Sequence, residues 1–166
     1  MSKEKVGEIK LGKIAYLSDP CYDCKPNSFY NCTIKTIPGD YLVYITRSES
    51  KERWFENRIT SIMAIHKDYY PKFKKMPKND KELLYCCVDS GTCGIFDKDY
   101  YEEHHSKTSN EIDEDWYEKF VCNRMKDYIT TDGKGAISSS GCGDGQYPVF
   151  AEYRGDKAFA IRIKFL

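Results

Sequence analysis

The sequence predicts an α+β fold that is mostly antiparallel β, arranged as a sandwich or a curved sheet, with one main helix. Three observations support this prediction: short apolar runs separated by glycine and proline turns, abundant aromatic residues, and an alternating strand pair near the C-terminal end. The 14 tyrosines, 8 phenylalanines and 2 tryptophans favour strands and a packed core. A chain of 166 residues is typical of one domain, so we expect residues 1–166 to fold as a single unit.

Short apolar runs mark the predicted strands. They are 14–17, 41–46, 59–66, 83–88, 148–153 and 157–165. The second and third runs are apolar on both faces, as interior strands are. The last two flank a Gly155-Asp156 turn, and the final strand alternates apolar and polar residues. We therefore expect a closing hairpin with one face in the core.

The main helix is predicted at about residues 113–128. Asp113 is available to cap it, acidic residues fill its first turn, and Trp116, Phe120 and Tyr128 belong to one wide apolar face. A shorter helix is predicted at 97–103.

Two turns rich in glycine carry the pattern most typical of a binding site. They are Asp89-Ser90-Gly91-Thr92-Cys93-Gly94 and Ser140-Gly141-Cys142-Gly143-Asp144-Gly145-Gln146-Tyr147. Glycine allows a backbone path with positive φ, and successive amides in such a turn form a concave nest for an anion. The alternative for the second turn is an ordinary hairpin connection at Asp144-Gly145.

We expect the turns at 89–94 and 141–147 to converge on one ligand, together with the Asp-Pro turn that ends the first predicted strand. The candidate ligand-binding residues are Asp19, Tyr22, Asp89, Ser90, Cys93, Gly143, Asp144, Gly145 and Tyr147. The expected ligand is a small polar or nucleotide-like molecule.

Eight cysteines occur in a chain that shows no export segment and no apolar run long enough to cross a membrane. We therefore expect a cytoplasmic protein with reduced thiols and no membrane association. Cys21 and Cys24 have the spacing of half a zinc site, and Cys86, Cys87 and Cys93 form the other tight cluster. Free thiols are favoured over structural zinc, so we expect no cofactor.

Charge gives further limits on the partners. The 26 basic and 26 acidic residues balance, so duplex nucleic acid is not an expected partner. Lysines alternate with aromatic residues over 67–81, a pattern that suits phosphate binding and base stacking but also a solvated loop. The acidic segment 97–118 is the candidate contact face for a host protein partner.

Three segments carry a resemblance to a known family. Pro38-Gly39-Asp40-Tyr41-Leu42-Val43, Val88-Asp89-Ser90-Gly91 and the second glycine turn resemble, in order and spacing, an uncharacterised domain-of-unknown-function family of bacteria and phages. Asp19-Pro20-Cys21-Tyr22 is similar to the start of small phage proteins with the later motifs. The resemblance implies a β-rich intracellular fold but no established activity. Some phage proteins of this size act against host defences, including by sequestering nucleotide signals.

Three functions are open on this sequence. The favoured one is a non-catalytic binding protein that holds its ligand at the glycine turns, as a host-defence inhibitor that sequesters a signal would. The second is a hydrolase. The third is a protein-interaction inhibitor or immunity-like protein.

The hydrolase would act on a small phosphorylated or polar substrate. A cysteine enzyme would use Cys93 or Cys142 with His104 or His105 as base, and a metal enzyme would use three aspartates as ligands. Those aspartates are Asp19, Asp89 and Asp144. No recognised catalytic signature is present, so the enzyme question stays open and the binding protein is favoured.

Overall fold

The computed structural model of the chain describes residues 3–25, 30, 32–72 and 84–166. The strands are β1 (Lys3–Leu11), β2 (Ile14–Ser18), β3 (Cys32–Lys35), β4 (Gly39–Arg47), β5 (Ile59–His66), β6 (Leu84–Val88), β7 (Thr92–Asp97), β8 (Tyr128–Thr131), β9 (Gly135–Ser139), β10 (Gly145–Arg154) and β11 (Lys157–Lys164). The helices are α1 (Lys98–His104) and α2 (Glu114–Tyr117), and a π-helical turn follows at Glu118–Cys122.

The strands form two antiparallel sheets, which confirms the predicted mostly antiparallel β architecture. The large sheet has the order β1-β4-β5-β11-β10-β6, and the small sheet has the order β3-β2-β7-β9-β8. The predicted closing hairpin is present as β10 and β11, which pair antiparallel. None of the helices in the described part of the chain is long and apolar enough to cross a membrane.

The main core lies between the two sheets. Alternate residues of each strand point inward and form one apolar cluster, to which the large sheet contributes Ile45 and Ile163 and the small sheet contributes Leu17 and Ile95. This alternation explains why a two-residue period in the sequence identifies these strands. The arrangement is the sandwich form of the predicted fold.

Both outer faces are also partly covered. On the large sheet, Met63 and Ile65 pack with Tyr44 in a second cluster, so β5 is buried on both faces as its sequence predicts. On the small sheet, Phe96 packs under Trp116 and its aromatic neighbours from α1 and α2. The helices therefore lie against the outer face of the small sheet.

The prediction of one main helix at 113–128 is wrong. The helix begins as expected, because the Asp113 carboxylate accepts a hydrogen bond from the Trp116 amide. After one α-helical turn the backbone continues only as the π-helical turn, and Tyr128 already belongs to β8. The side chain of Met125 is 99% exposed, so the apolar pattern does not continue as a packed face beyond Val121. The shorter predicted helix is present as α1.

The lysine-rich stretch 67–81 is described only as far as residue 72. In this part, the ring of Tyr69 stacks on Phe159 and the ring of Tyr70 stacks on Tyr44, with centroid distances of 4.6 and 5.5 Å. The predicted phosphate contacts of the remaining lysines lie outside the described residues.

Candidate functional site

Two crossovers between the sheets occur at one end of the sandwich. The first turn, residues 89–91, leads from β6 of the large sheet to β7 of the small sheet, and the second turn, residues 140–144, leads from β9 back to β10. The second turn is therefore not the hairpin that Asp144-Gly145 allows, because the strands on either side of it belong to different sheets. We call these two turns, with residues 19–22, the junction.

Strand pairing places the two turns side by side. Val88 pairs with Gly145 where the first turn leaves and the second turn enters the large sheet. Thr92 pairs with Ser139 where the two turns meet the small sheet. The turns thus start and finish on neighbouring strands, and their convergence follows from the topology.

Asp19 braces the junction from inside. Its side chain is fully buried, because β2 ends beside β7 at the same end of the small sheet. One carboxylate oxygen accepts hydrogen bonds from the amides of Asp89 and Ser90, at 2.8 and 2.6 Å. The other accepts from the Cys21 amide and the Ser90 hydroxyl, at 2.8 and 2.7 Å. The anion nest of the first turn is therefore filled by a carboxylate of the protein itself.

Carbonyl oxygens of both turns hold the second turn in place. The Ser140 amide donates to the carbonyl oxygen of Gly91 at 3.0 Å, which ties the two turns together. The carbonyl oxygen of Gly143 accepts from the Ser140 hydroxyl and from the Tyr147 hydroxyl, at 2.6 and 2.7 Å. Gly141 and Gly143 have φ values of 70° and 97°, which favour glycine.

The second turn leaves two amides open on the surface. Among the described residues, no hydrogen bond engages the amides of Gly143 and Asp144. A side chain built on Gly143 would meet no atom within 4 Å, so open space lies on that side of the turn. Asp89, Ser90 and Asp144 are exposed beside it. The surface of the junction thus combines amide donors with carboxylate and hydroxyl groups.

The structure brings the predicted site residues to one end of the sandwich but buries some of them. Asp19 and Cys93 are fully buried, and Tyr147 is 7% exposed with its hydroxyl engaged. Gly145 serves as the first residue of β10 and pairs in the sheet. Asp19, Cys93 and Tyr147 position the junction from within. The predicted residues that remain at its surface are Tyr22, Asp89, Ser90, Gly143, Asp144 and Gly145.

Two further tyrosines join the site without having been predicted. Tyr30 stacks on Tyr22 with a centroid distance of 4.8 Å and is 49% exposed. Tyr117 lies beside Ser90; burial raises the pKa of Tyr117, and the contact with Ser90 offsets a small part of that rise. The helical pattern of the sequence assigns Tyr117 to the core, so no sequence signal marks it as a site residue.

Tyr117 also borders an open groove of about 590 Å³. Its other lining residues are Asn110, Glu111, Ile112, Glu114, Glu118 and Cys122. Tyr117 is the residue that the groove shares with the surroundings of the junction.

Burial raises the pKa of two titratable side chains of the junction, Cys21 and Tyr22. Desolvation raises the pKa of the Cys21 thiol, and the nearby Asp19 carboxylate raises it further. Desolvation also raises the pKa of Tyr22, with further contributions from Cys21 and the two aspartates Asp19 and Asp89. At neutral pH, Cys21 is therefore a poor nucleophile and Tyr22 is a neutral hydrogen-bond donor.

The histidines are committed to other partners. His104 Nδ1 lies 2.8 Å from a carboxylate oxygen of Asp113. His105 Nδ1 lies 2.9 Å from the Tyr101 carbonyl oxygen, and His105 Nε2 lies 2.9 Å from the Pro20 carbonyl oxygen. In the described part of the chain neither ring forms a hydrogen bond to a cysteine thiol. The geometry therefore supplies no cysteine–histidine pair of the kind that a thiol hydrolase needs.

The cysteines do not form the predicted alternative zinc site in the described residues. The Cys24 thiol donates to the backbone carbonyl oxygen of His105 at 2.8 Å. No group of three or more metal-ligating side chains is placed to hold an ion within residues 3–25, 30, 32–72 and 84–166. All eight cysteines are free thiols.

Within the acidic segment 97–118, ion pairs engage Glu102 and Asp113. Glu102 pairs with Lys98 and Lys107 at 2.5 and 2.7 Å, which lowers the pKa of the Glu102 carboxyl. Asp113 pairs with His104 and caps α2. Its use as a contact face for a host protein therefore stays a prediction.

Comparison with known proteins finds no matching protein-family model, no similar curated protein and no similar solved structure. The resemblance of the glycine turns to a bacterial and phage family thus stays a prediction.

Proposed function

We propose that the protein binds a small polar, nucleotide-like ligand at the junction and does not transform it. The observation that carries this proposal is the meeting of the two inter-sheet turns, which leaves amide donors and exposed carboxylates side by side on a braced backbone. Sites on loops positioned by a rigid scaffold are the usual location of binding residues.

The chemistry of the junction selects the ligand class. The open amides of Gly143 and Asp144 donate to ligand oxygens. The carboxylates of Asp89 and Asp144 accept from hydroxyl or amino groups, and the ring of Tyr22 offers a flat surface for a base. A nucleoside with its sugar hydroxyls meets all three requirements.

We propose further that the protein is a cytoplasmic phage-type protein that sequesters such a ligand from a host defence. The support is the resemblance of the glycine turns to a phage and bacterial family. The proposal is also consistent with the contacts of the candidate catalytic groups, because His104, His105 and the buried Cys93 thiol all have other partners. A sequestering protein needs no catalytic group.

Titration by heteronuclear NMR tests the proposal. Adenosine and adenosine 5′-monophosphate serve as probes, and we expect saturable shifts at the amides of Gly143 and Asp144. Asp89→Asn and Asp144→Asn should each weaken both titrations. Asp156→Asn is the matched control, because Asp156 lies in the β10–β11 turn at the far end of the sandwich.

Shifts confined to residues outside the junction would contradict the proposal. So would titrations that the two junction variants leave unchanged. Adenosine binding as tight as that of its monophosphate would identify the sugar and base, rather than the phosphate, as the recognised groups.

A further inference from the structure

We propose that Cys86 and Cys93 are a buried thiol pair that peroxide slowly closes into a disulfide beneath the junction. Cys86 lies on β6 of the large sheet and Cys93 lies on β7 of the small sheet. Their Sγ atoms are 3.0 Å apart, and both side chains are fully buried. No other pair of thiols shows a sulfur–sulfur contact in the part of the chain that the structure describes.

The position of the pair gives the bond a structural consequence. Cys86 and Cys93 enclose the first turn, which carries Asp89 and Ser90. A disulfide bond is about 2.05 Å long, so the two sulfur atoms need to approach by only about 1 Å. The bond would join the two sheets covalently at the base of the first turn.

The reaction balances with a peroxide as the oxidant. One thiol loses its proton and attacks a peroxide oxygen, so the O–O bond breaks and a sulfenic acid and one water form. The second thiol attacks the sulfenic sulfur, the S–O bond breaks and the S–S bond forms, and a second water leaves. The two thiols together supply two electrons, and hydrogen peroxide is reduced to two waters.

Burial sets the rate of this reaction. Contact with Cys93 and desolvation both raise the pKa of Cys86 well above its ordinary value, so little thiolate is present at neutral pH. We therefore expect oxidation to be slow and faster at alkaline pH. The exposed thiols of Cys122 and Cys142 react sooner, but neither forms a sulfur–sulfur contact in the part of the chain that the structure describes.

The experiment exposes the native wild-type protein to hydrogen peroxide, then quenches, denatures and alkylates it. Before treatment we expect all eight cysteines to be alkylated. After treatment, intact mass and peptide mapping should show a fraction that has lost two hydrogen atoms, with the peptides of Cys86 and Cys93 cross-linked. The oxidised fraction should melt at a higher temperature, because the cross-link restricts the unfolded chain.

Cys86→Ser should abolish the cross-link and the gain in melting temperature, whereas Cys87→Ser, at the adjacent position, should retain both. The proposal is overturned if Cys86 and Cys93 remain alkylatable while the exposed cysteines oxidise. A disulfide between any other two cysteines overturns it as well. Because the cross-link is read in the wild-type protein, the test does not depend on the folding of a variant.

Discussion

Replacing Asp19 with asparagine should destabilise the fold even though the shape of the side chain is kept. The buried carboxylate accepts hydrogen bonds from the Cys21, Asp89 and Ser90 amides and from the Ser90 hydroxyl. An asparagine in its better orientation turns its NH2 group toward the Cys21 amide, which then lacks an acceptor. The Ser90 hydroxyl can rotate to accept, but the bonds to the remaining oxygen lose their charge assistance.

An unpaired buried amide costs about 1–3 kcal/mol, and hydrogen bonds to charged groups are each worth about 1.5–3 kcal/mol against about 1 for neutral pairs. We expect a total loss of about 2–5 kcal/mol in the free energy of unfolding. For a domain of this size, each kcal/mol lowers the melting temperature by about 2–4 °C, so the expected decrease is about 4–20 °C.

Thermal and urea unfolding of Asp19→Asn test this expectation. Asp89→Asn is the matched control, because the Asp89 side chain is exposed and its contribution to the brace comes from its backbone amide. The control should stay within about 0.5 kcal/mol of wild type. Equal melting temperatures for Asp19→Asn and the control would refute the assignment of Asp19 as the brace.

Two further predictions follow from the structure. Gly141→Ala should lower the melting temperature more than Gly143→Ala. Both positions have positive φ, but only a Cβ at Gly141 would clash, at 2.4 Å from the Ile59 carbonyl oxygen in β5. Gln146→Ala, on an exposed strand position, should change the melting temperature little. Arg47 contacts Asp127 at 2.7 Å and lowers its pKa, so the stabilisation by this pair is present above about pH 4 and is lost as the pH falls through the lowered value. Asp127→Asn should therefore be less stable than wild type at pH 7, and urea unfolding at pH 3 should show a smaller difference.

Local patterns predict the strands that alternate or are apolar throughout, such as β4, β5 and β11. They miss β1, because its sequence is rich in charged residues and only Ile9 and Leu11, near its C-terminal end, are fully buried at this edge of the large sheet. An edge strand needs less apolar surface than an interior strand, so the two-residue hydrophobic signal is weak there.

The end of the predicted helix depends on tertiary contacts. The apolar spacing from Trp116 to Tyr128 favours a continuous helix, but the Val121 carbonyl oxygen accepts a hydrogen bond from the Arg124 side chain and Tyr128 pairs with β9. Pairing in the small sheet thus overrides helical propensity, which is a weak prior.

The candidate site could be located from glycine and aspartate patterns, but its construction could not. Whether each glycine turn closes a hairpin or crosses between sheets depends on strand pairings far apart in sequence. The role of Asp19 was hidden for the same reason, because its partners Asp89 and Ser90 lie 70 and 71 residues away. The sequence marks such an acid only as part of an Asp-Pro turn.

Native mass spectrometry shows directly whether the junction holds a small polar ligand. The wild-type protein and its Asp89→Asn, Asp144→Asn and Asp156→Asn variants are incubated with an extract of small metabolites and then measured intact. We expect the wild type and Asp156→Asn to retain the same small molecule, and both junction variants to lose it while melting close to wild type. Retention of the molecule by both junction variants, or the absence of any bound molecule on the wild type, would contradict the claim.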